Sequence, residues 1–192
     1  DIRRVVMFES AGAHALVALD LNVVGCILNP GVGNPQHGDE TEMLVPAARA
    51  AVETGSFIGA HAYWPSSQTQ TWLESDWEHY AGRWAESWDP IFRAHGIRPH
   101  YIVTECGPIG GPEPPYHLDA HSGWRSPNCL NGDWNRCMDE MLRFEQLAMQ
   151  SIPGQEGRYR GSAHYCVAGS GEWDDFKFRA PQFDSLAAAL VG

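Results

Sequence analysis

The stretch His100-Tyr101-Ile102-Val103-Thr104-Glu105-Cys106-Gly107-Pro108 decides how this chain reads. Aromatic and β-branched residues favour an extended, half-buried backbone, and Gly-Pro punctuates it. The expectation is a strand from His100 to Glu105, cut off by Cys106-Gly107-Pro108. Side chains alternate along a strand, which puts Tyr101, Val103 and Glu105 on one face. A carboxylate among apolar neighbours is costly to desolvate unless it has partners. Glu105 therefore reads as a candidate for chemistry, set against the plainer reading of a solvated strand end.

Three similar runs lie on either side. Asn22 to Asn29 is a β-branched stretch that stops at the loop Pro30-Gly31-Val32-Gly33-Asn34-Pro35. Phe57 to Tyr63 stops at Trp64-Pro65, and its alternation groups Phe57, Gly59, His61 and Tyr63. Tyr159 to Val167 is followed by Gly169-Ser170-Gly171-Glu172-Trp173. Helical patterns separate the strands. Residues 1–19 carry Val5, Phe8, Leu16 and Leu19. Asp39 and Glu42 resemble a capping box before Leu44, Val45, Ala48, Ala51 and Val52, with Gly55 as the stop. Trp77, Tyr80, Trp84, Trp88, Ile91 and Phe92 recur at steps of three and four. Further helices are expected at about 133–150 and 184–191. The helical Trp residues are assigned to packing.

Strictly alternating helices and strands imply an α/β protein with a parallel sheet and right-handed crossovers. Residues 1–192 are read as a single domain. No Gly-x-Gly-x-x-Gly or phosphate-loop motif follows any strand, which disfavours a nucleotide-binding doubly wound fold. The expectation is a parallel (β/α) barrel or half-barrel of the TIM type; four strands are half of the eight that close one, so either the first half is missing, or it is another chain, or the sheet is a smaller open one. Asn29, His61, Tyr63, Glu105 and Trp173 gather where such folds carry their chemistry, at or beyond the strands' C-terminal ends. The Gly-, Pro-, His- and Asn-rich stretch 107–132 is long enough to be functional. It adds His117, His121, Trp124 and Arg125 as candidate substrate contacts, Trp124 as a stacking surface.

Composition narrows the partners. The formal net charge is −11, from 24 acidic and 13 basic residues. That speaks against non-specific nucleic-acid binding and against an anionic membrane surface, and no apolar run is long enough to span a bilayer. Eight Trp suit carbohydrate stacking as well as packing. No cofactor motif is present, and the five Cys contain no CxxC zinc pattern. Cys26, Cys106 and Cys166 are expected as small core residues. Cys129 and Cys137 read either as a disulfide or as two thiols, so the redox compartment stays open. The chain opens on Asp1-Ile2-Arg3-Arg4 in a helix already under way, as a processed or fragmentary product does.

Tyr101-Ile102-Val103-Thr104-Glu105-Cys106-Gly107 resembles the seventh-strand motif of clan A glycoside hydrolases, a strand ending in Thr-Glu-x-Gly whose Glu is the nucleophile. Ala60-His61-Ala62-Tyr63-Trp64 is similar to that clan's sixth strand, where an aromatic or His side chain steadies the nucleophile. Gly25 to Gly31 then stands for strand five and Tyr159 to Val167 for strand eight, with Trp173 resembling the Trp that floors the sugar subsite. The resemblance implies the C-terminal half of the barrel and retaining hydrolysis of a glycosidic bond. Glu105 is the expected nucleophile, and Asn29, His61, Tyr63, Trp124 and Trp173 are expected around a carbohydrate. The clan's acid/base Glu follows an Asn on strand four. No Asn-Glu pair occurs in this chain, and Glu9 sits in a helix. A missing barrel half, or a second chain pairing the open sheet edges, is the expected partner. Two alternatives stand beside this reading. One is a non-catalytic structural or carbohydrate-binding barrel domain. The other is a metal-dependent hydrolase built on His61, His164 and Glu105.

Overall fold

The computed structural model describes residues 2–20, 23–30, 35, 38–110, 122–152, 157–164 and 171–191. Helix α1 (Ile2–Ala18) precedes strand β1 (Cys26–Ile27). Then come α2 (Gly38–Glu42), α3 (Val45–Thr54), β2 (Phe57–Ser66), a π-helical turn (Trp84–Trp88) running into α4 (Asp89–Ala94), and β3 (His100–Gly110). The chain continues with α5 (Trp134–Gln150), β4 (Tyr159–His164), a 3-10 turn (Gly171–Phe176) and α6 (Ala180–Val191). The four strands form one sheet in the order β1-β2-β3-β4, with every neighbouring pair parallel. The sheet curls as half of a barrel.

Local chemistry accounts for most boundaries. Gly55 ends α3 with φ +69°, a left-handed cap that a side chain would strain. Pro46 lies in the first turn of α3, where its missing N–H costs nothing, so the helix expected from Asp39 onward breaks into α2 and α3. Asp133 caps α5, accepting a bond from the Arg136 backbone N–H at 3.1 Å.

Two strands outrun their expected ends. Pro65 and Pro108 do not terminate them: Trp64 pairs with Pro108, Pro65 with Ile109 and Ser66 with Gly110. Glu105 is therefore inside β3, not its last residue. The first strand is shorter than expected, with only Cys26 and Ile27 paired.

The core lies between the convex side of the sheet and the helices. Ile58, Ala60, Ala62 and Trp64 of β2 meet Tyr101, Val103 and Cys106 of β3 there, all at most 1% exposed. Trp64 stacks on Phe144 of α5, with ring centroids 5.3 Å apart. Trp84 packs on Tyr101 and Tyr159. Trp84 and Trp88 are buried, as their helical spacing implied. Fully burying one large apolar side chain stabilises a fold by about 1.5–3 kcal/mol, so these rings hold the sheet to its helices. Beneath them Asp89, 1% exposed, is ion-paired with Arg158 and accepts the Tyr101 hydroxyl at 3.0 Å. Cys106, Cys129 and Cys137 are buried free thiols, so the disulfide reading of Cys129 and Cys137 does not hold. Burial pushes the Cys129 thiol up to about 12. Cys26 is exposed, on the concave side rather than in the core, and Cys166 lies outside the described residues.

Candidate active site on the concave face

A register shift builds the site. Ala60 and His61 are consecutive in β2, yet their partners in β3 are Val103 and Glu105. Thr104 is the extra residue. Against β4 the same place is irregular, since Val103 pairs with Ser162 and Cys106 with His164. An extra residue in one strand reverses the alternation beyond it. Val103 points into the helical layer with Ala60, whereas Glu105 points to the concave side with His61. The expectation that Tyr101, Val103 and Glu105 share a face is corrected by this bulge.

On the concave side the Tyr63 hydroxyl donates to Glu105 Oε2 at 3.1 Å. His61 Nδ1 stands 3.4 Å from the same oxygen. The side chains of His61 and Glu105 are 17% and 35% exposed, so the carboxylate is open to solvent while its supports are largely covered. His61 and Tyr63 meet edge to face, with centroids 6.5 Å apart. Nε2 of His61 is buried and has no hydrogen-bond partner among the described residues.

Thr104 itself ties the bulge to β1. Its hydroxyl donates to the Asn29 side-chain oxygen, with the Ala60 carbonyl oxygen a second acceptor at 3.2 Å. Gly59 makes room for this arrangement. A Cβ there would lie 2.8 Å from both Asn29 Oδ1 and Cys26 Sγ. Leu28, just before Asn29, has φ +53°, a left-handed conformation that costs a non-glycine residue on the order of 1–2 kcal/mol. Asn29 is thus held over β2 by a strained residue behind it and a vacant Cβ position beneath it.

Other candidates are placed elsewhere. Trp124 is 4% exposed. Its N–H donates to the Phe176 carbonyl at 3.2 Å, and its ring packs on Trp134 and Phe178. It fastens the loop to the core and presents no free face for a sugar, which corrects its expected stacking role. Arg125 lies over that same ring. Trp173 falls in the 3-10 turn, but its side chain is outside the described residues, as are His117 and His121.

His164 is on the wrong side of the sheet for a metal site with His61 and Glu105. Its Nδ1 is 3.1 Å from Cys106 Sγ, its Nε2 is 3.5 Å from Glu145 of α5, and its ring meets Phe144. Among the described residues no group of three or more His, Cys, Asp or Glu is arranged to hold a metal ion. Sequence reasoning missed the group formed by Glu145, Tyr159, Ser162 and His164 on this helical side. Gly161, with φ +110°, gives β4 an irregularity of its own there, and a glycine inside a strand was the available signal.

No family model matches the chain, and neither a curated protein nor a solved structure matches it. No described helix is long and apolar enough to cross a membrane.

Proposed function

We propose that the chain is a glycoside hydrolase half-barrel in which Glu105 is the nucleophile of a retaining reaction. The observation that carries this reading is the Thr104 bulge. It turns one carboxylate out of the helical layer and onto the concave face, where Tyr63 and His61 aim a single oxygen. The other oxygen, Oε1, is the one left to attack an anomeric carbon.

In retaining hydrolysis one carboxylate forms a covalent glycosyl ester as the leaving oxygen departs. A second carboxyl group protonates that oxygen and later activates the water that breaks the ester. The two groups stand about 5–5.5 Å apart. Tyr63 and His61 keep Glu105 from rotating away, a contribution of positioning. The Asn29–Thr104 pair holds the bulge that presents it. The resemblance supplies no acid/base Glu within this chain, so the partner that completes the barrel provides it. A single copy of this chain should bind sugars better than it turns them over.

The test removes the need for an acid. A 2-deoxy-2-fluoroglycoside with a dinitrophenolate leaving group departs unprotonated, and its ester hydrolyses slowly. Incubation with a panel of such reagents, followed by peptide mass spectrometry, should place one fluorosugar on Glu105 and none on a Glu105→Gln chain. Labelling elsewhere, or none with any sugar, rejects the nucleophile and favours a non-catalytic barrel domain.

A further inference from the structure

Helix α1 has two apolar stripes, and only one is used. Val6 and Ala13 are buried, and the helix packs along α3. Val5, Phe8, Gly12, Ala15 and Leu19 follow one another at steps of three, four, three and four, and all five are exposed. Phe8 is 77% exposed and Leu19 66%. The chain then reaches β1 through Val23 and Val24, also exposed. Seven of the nine large apolar side chains that the described residues leave exposed lie between Val5 and Val24. Scattered exposed apolar residues need no account, but a continuous helical stripe beside an edge strand does.

From this we infer that the α1–β1 flank is the contact surface for a second copy of this chain, which closes the half-barrel into an eight-stranded ring. Topology carries the choice of occupant. Among the described residues the sheet ends in β1 on one side and β4 on the other, and all of its strands are parallel. A two-fold axis along the strands sets β1 of each copy against β4 of its mate with every strand still parallel. Four strands and four strands make eight, the number whose interior side chains just fill a barrel.

The area suffices. A 17-residue helix is about 25 Å long and about 10 Å across. One stripe therefore covers roughly 250 Å². Each copy takes part in two such junctions, and the paired strand edges bring its share to on the order of 800 Å², the size of a standard stable interface.

The surface also reaches the site. A cavity of about 410 Å³ has Ile2, Val5 and Glu9 of α1 on one wall and Leu28, Asn29 and Pro30 on the other. In the closed ring the mate's Glu105 stands across the same interior, four strands away. If the glycosidase reading holds, that residue is the second carboxylate. The assembly itself rests on the stripe and the open edges and does not depend on that reading.

Sedimentation velocity on the 192-residue chain at roughly 5–100 μM tests it, a range set by the micromolar affinities that such interfaces can show. The expected result is a single species of twice the chain mass. Phe8→Glu and Leu19→Glu, at opposite ends of the stripe, should each raise the dissociation constant at least tenfold with unchanged far-UV circular dichroism. A wild-type monomer overturns the inference, as does an open-ended series of larger species or a dimer indifferent to both substitutions. The glycosidase reading fails separately, by the absence of fluorosugar on Glu105 whatever the mass.

Discussion

The two faces of the sheet treat their carboxylates in opposite ways. On the helical side Glu140 is 5% exposed and fully engaged. It accepts the Trp64 N–H at 2.9 Å, the Ser66 hydroxyl at 2.5 Å and Arg136 at 3.2 Å. Glu145, nearby on the same helix, accepts the hydroxyls of Tyr159 and Ser162 and stands against His164. On the concave side Glu105, 35% exposed, has two supports on one oxygen among the described residues. Saturated carboxylates tie helix to strand. A carboxylate with spare lone pairs at a solvent-facing position keeps its reactivity, and that difference marks Glu105 out more than its place in a motif does.

Removing each acid sharpens the contrast. Glu140→Ala strands a buried indole N–H, a hydroxyl and a guanidinium, and should cost about 3–5 kcal/mol of unfolding free energy. Glu105→Gln, at a more open position, should stay within about 1 kcal/mol of the parent while losing all fluorosugar labelling. Urea unfolding of both chains checks this, and equal losses would erase the distinction between the faces.

A smaller effect is expected from Gly59→Ala. The new Cβ collides with Asn29 and Cys26, and overpacking of this kind costs about 1–3 kcal/mol. Because the collision breaks the Asn29–Thr104 contact, labelling of Glu105 should slow about tenfold, the equivalent of about 1.4 kcal/mol. Unchanged labelling would free the bulge from any dependence on β1.

The finest discrimination comes from acid titration. Burial raises the Glu140 carboxyl above its ordinary value near 4.5, despite bonds from Ser66 and Trp64. For Glu145 burial pulls upward too, but bonds from His164, Ser162 and Tyr159 overcome it and leave the group lowered. A raised folded value means that the folded state holds the proton longer, so the Glu140 contribution to stability falls as pH rises above 4.5 toward the folded value. A lowered one means that the unfolded state takes the proton first, so the Glu145 contribution is lost as pH falls from 4.5 through the folded value. The urea midpoint of Glu145→Gln should therefore fall less steeply below pH 4.5 than the parent's. That of Glu140→Gln should lose the decline just above it. Identical profiles in all three chains would mean that neither environment differs between folded and unfolded states.

The parallel α/β architecture was legible because period-2 and period-3.6 patterns alternate cleanly, and Asp133 and Gly55 mark their helix ends. The helical Trp residues were legible for the same reason. For the candidate site, the meeting of three side chains was legible and its geometry was not. His61, Tyr63 and Glu105 do meet. The alternation that groups Glu105 with Tyr101 and Val103 fails at Thr104, because a bulge depends on neighbouring strands that no local pattern contains. His164 was misplaced for a related reason: β4 shifts register twice against β3. Trp124 looked like a loop residue and is a core residue, since the segment around it folds back onto Phe176 and Phe178.

Thr104 carries one more consequence, for how such a chain changes by mutation. What faces the concave side there is set by whether Thr104 stands in the ladder or is bulged out of it, more than by the identity of the residues beyond it. Losing the Thr104 codon would make the ladder regular and still leave the carboxylate opposite His61 on the concave side, whereas flattening the bulge with Thr104 kept would pair Thr104 with His61 and send Glu105 to the helical side. A residue-by-residue alignment that slips by one position here would compare the concave carboxylate with its buried neighbour Cys106.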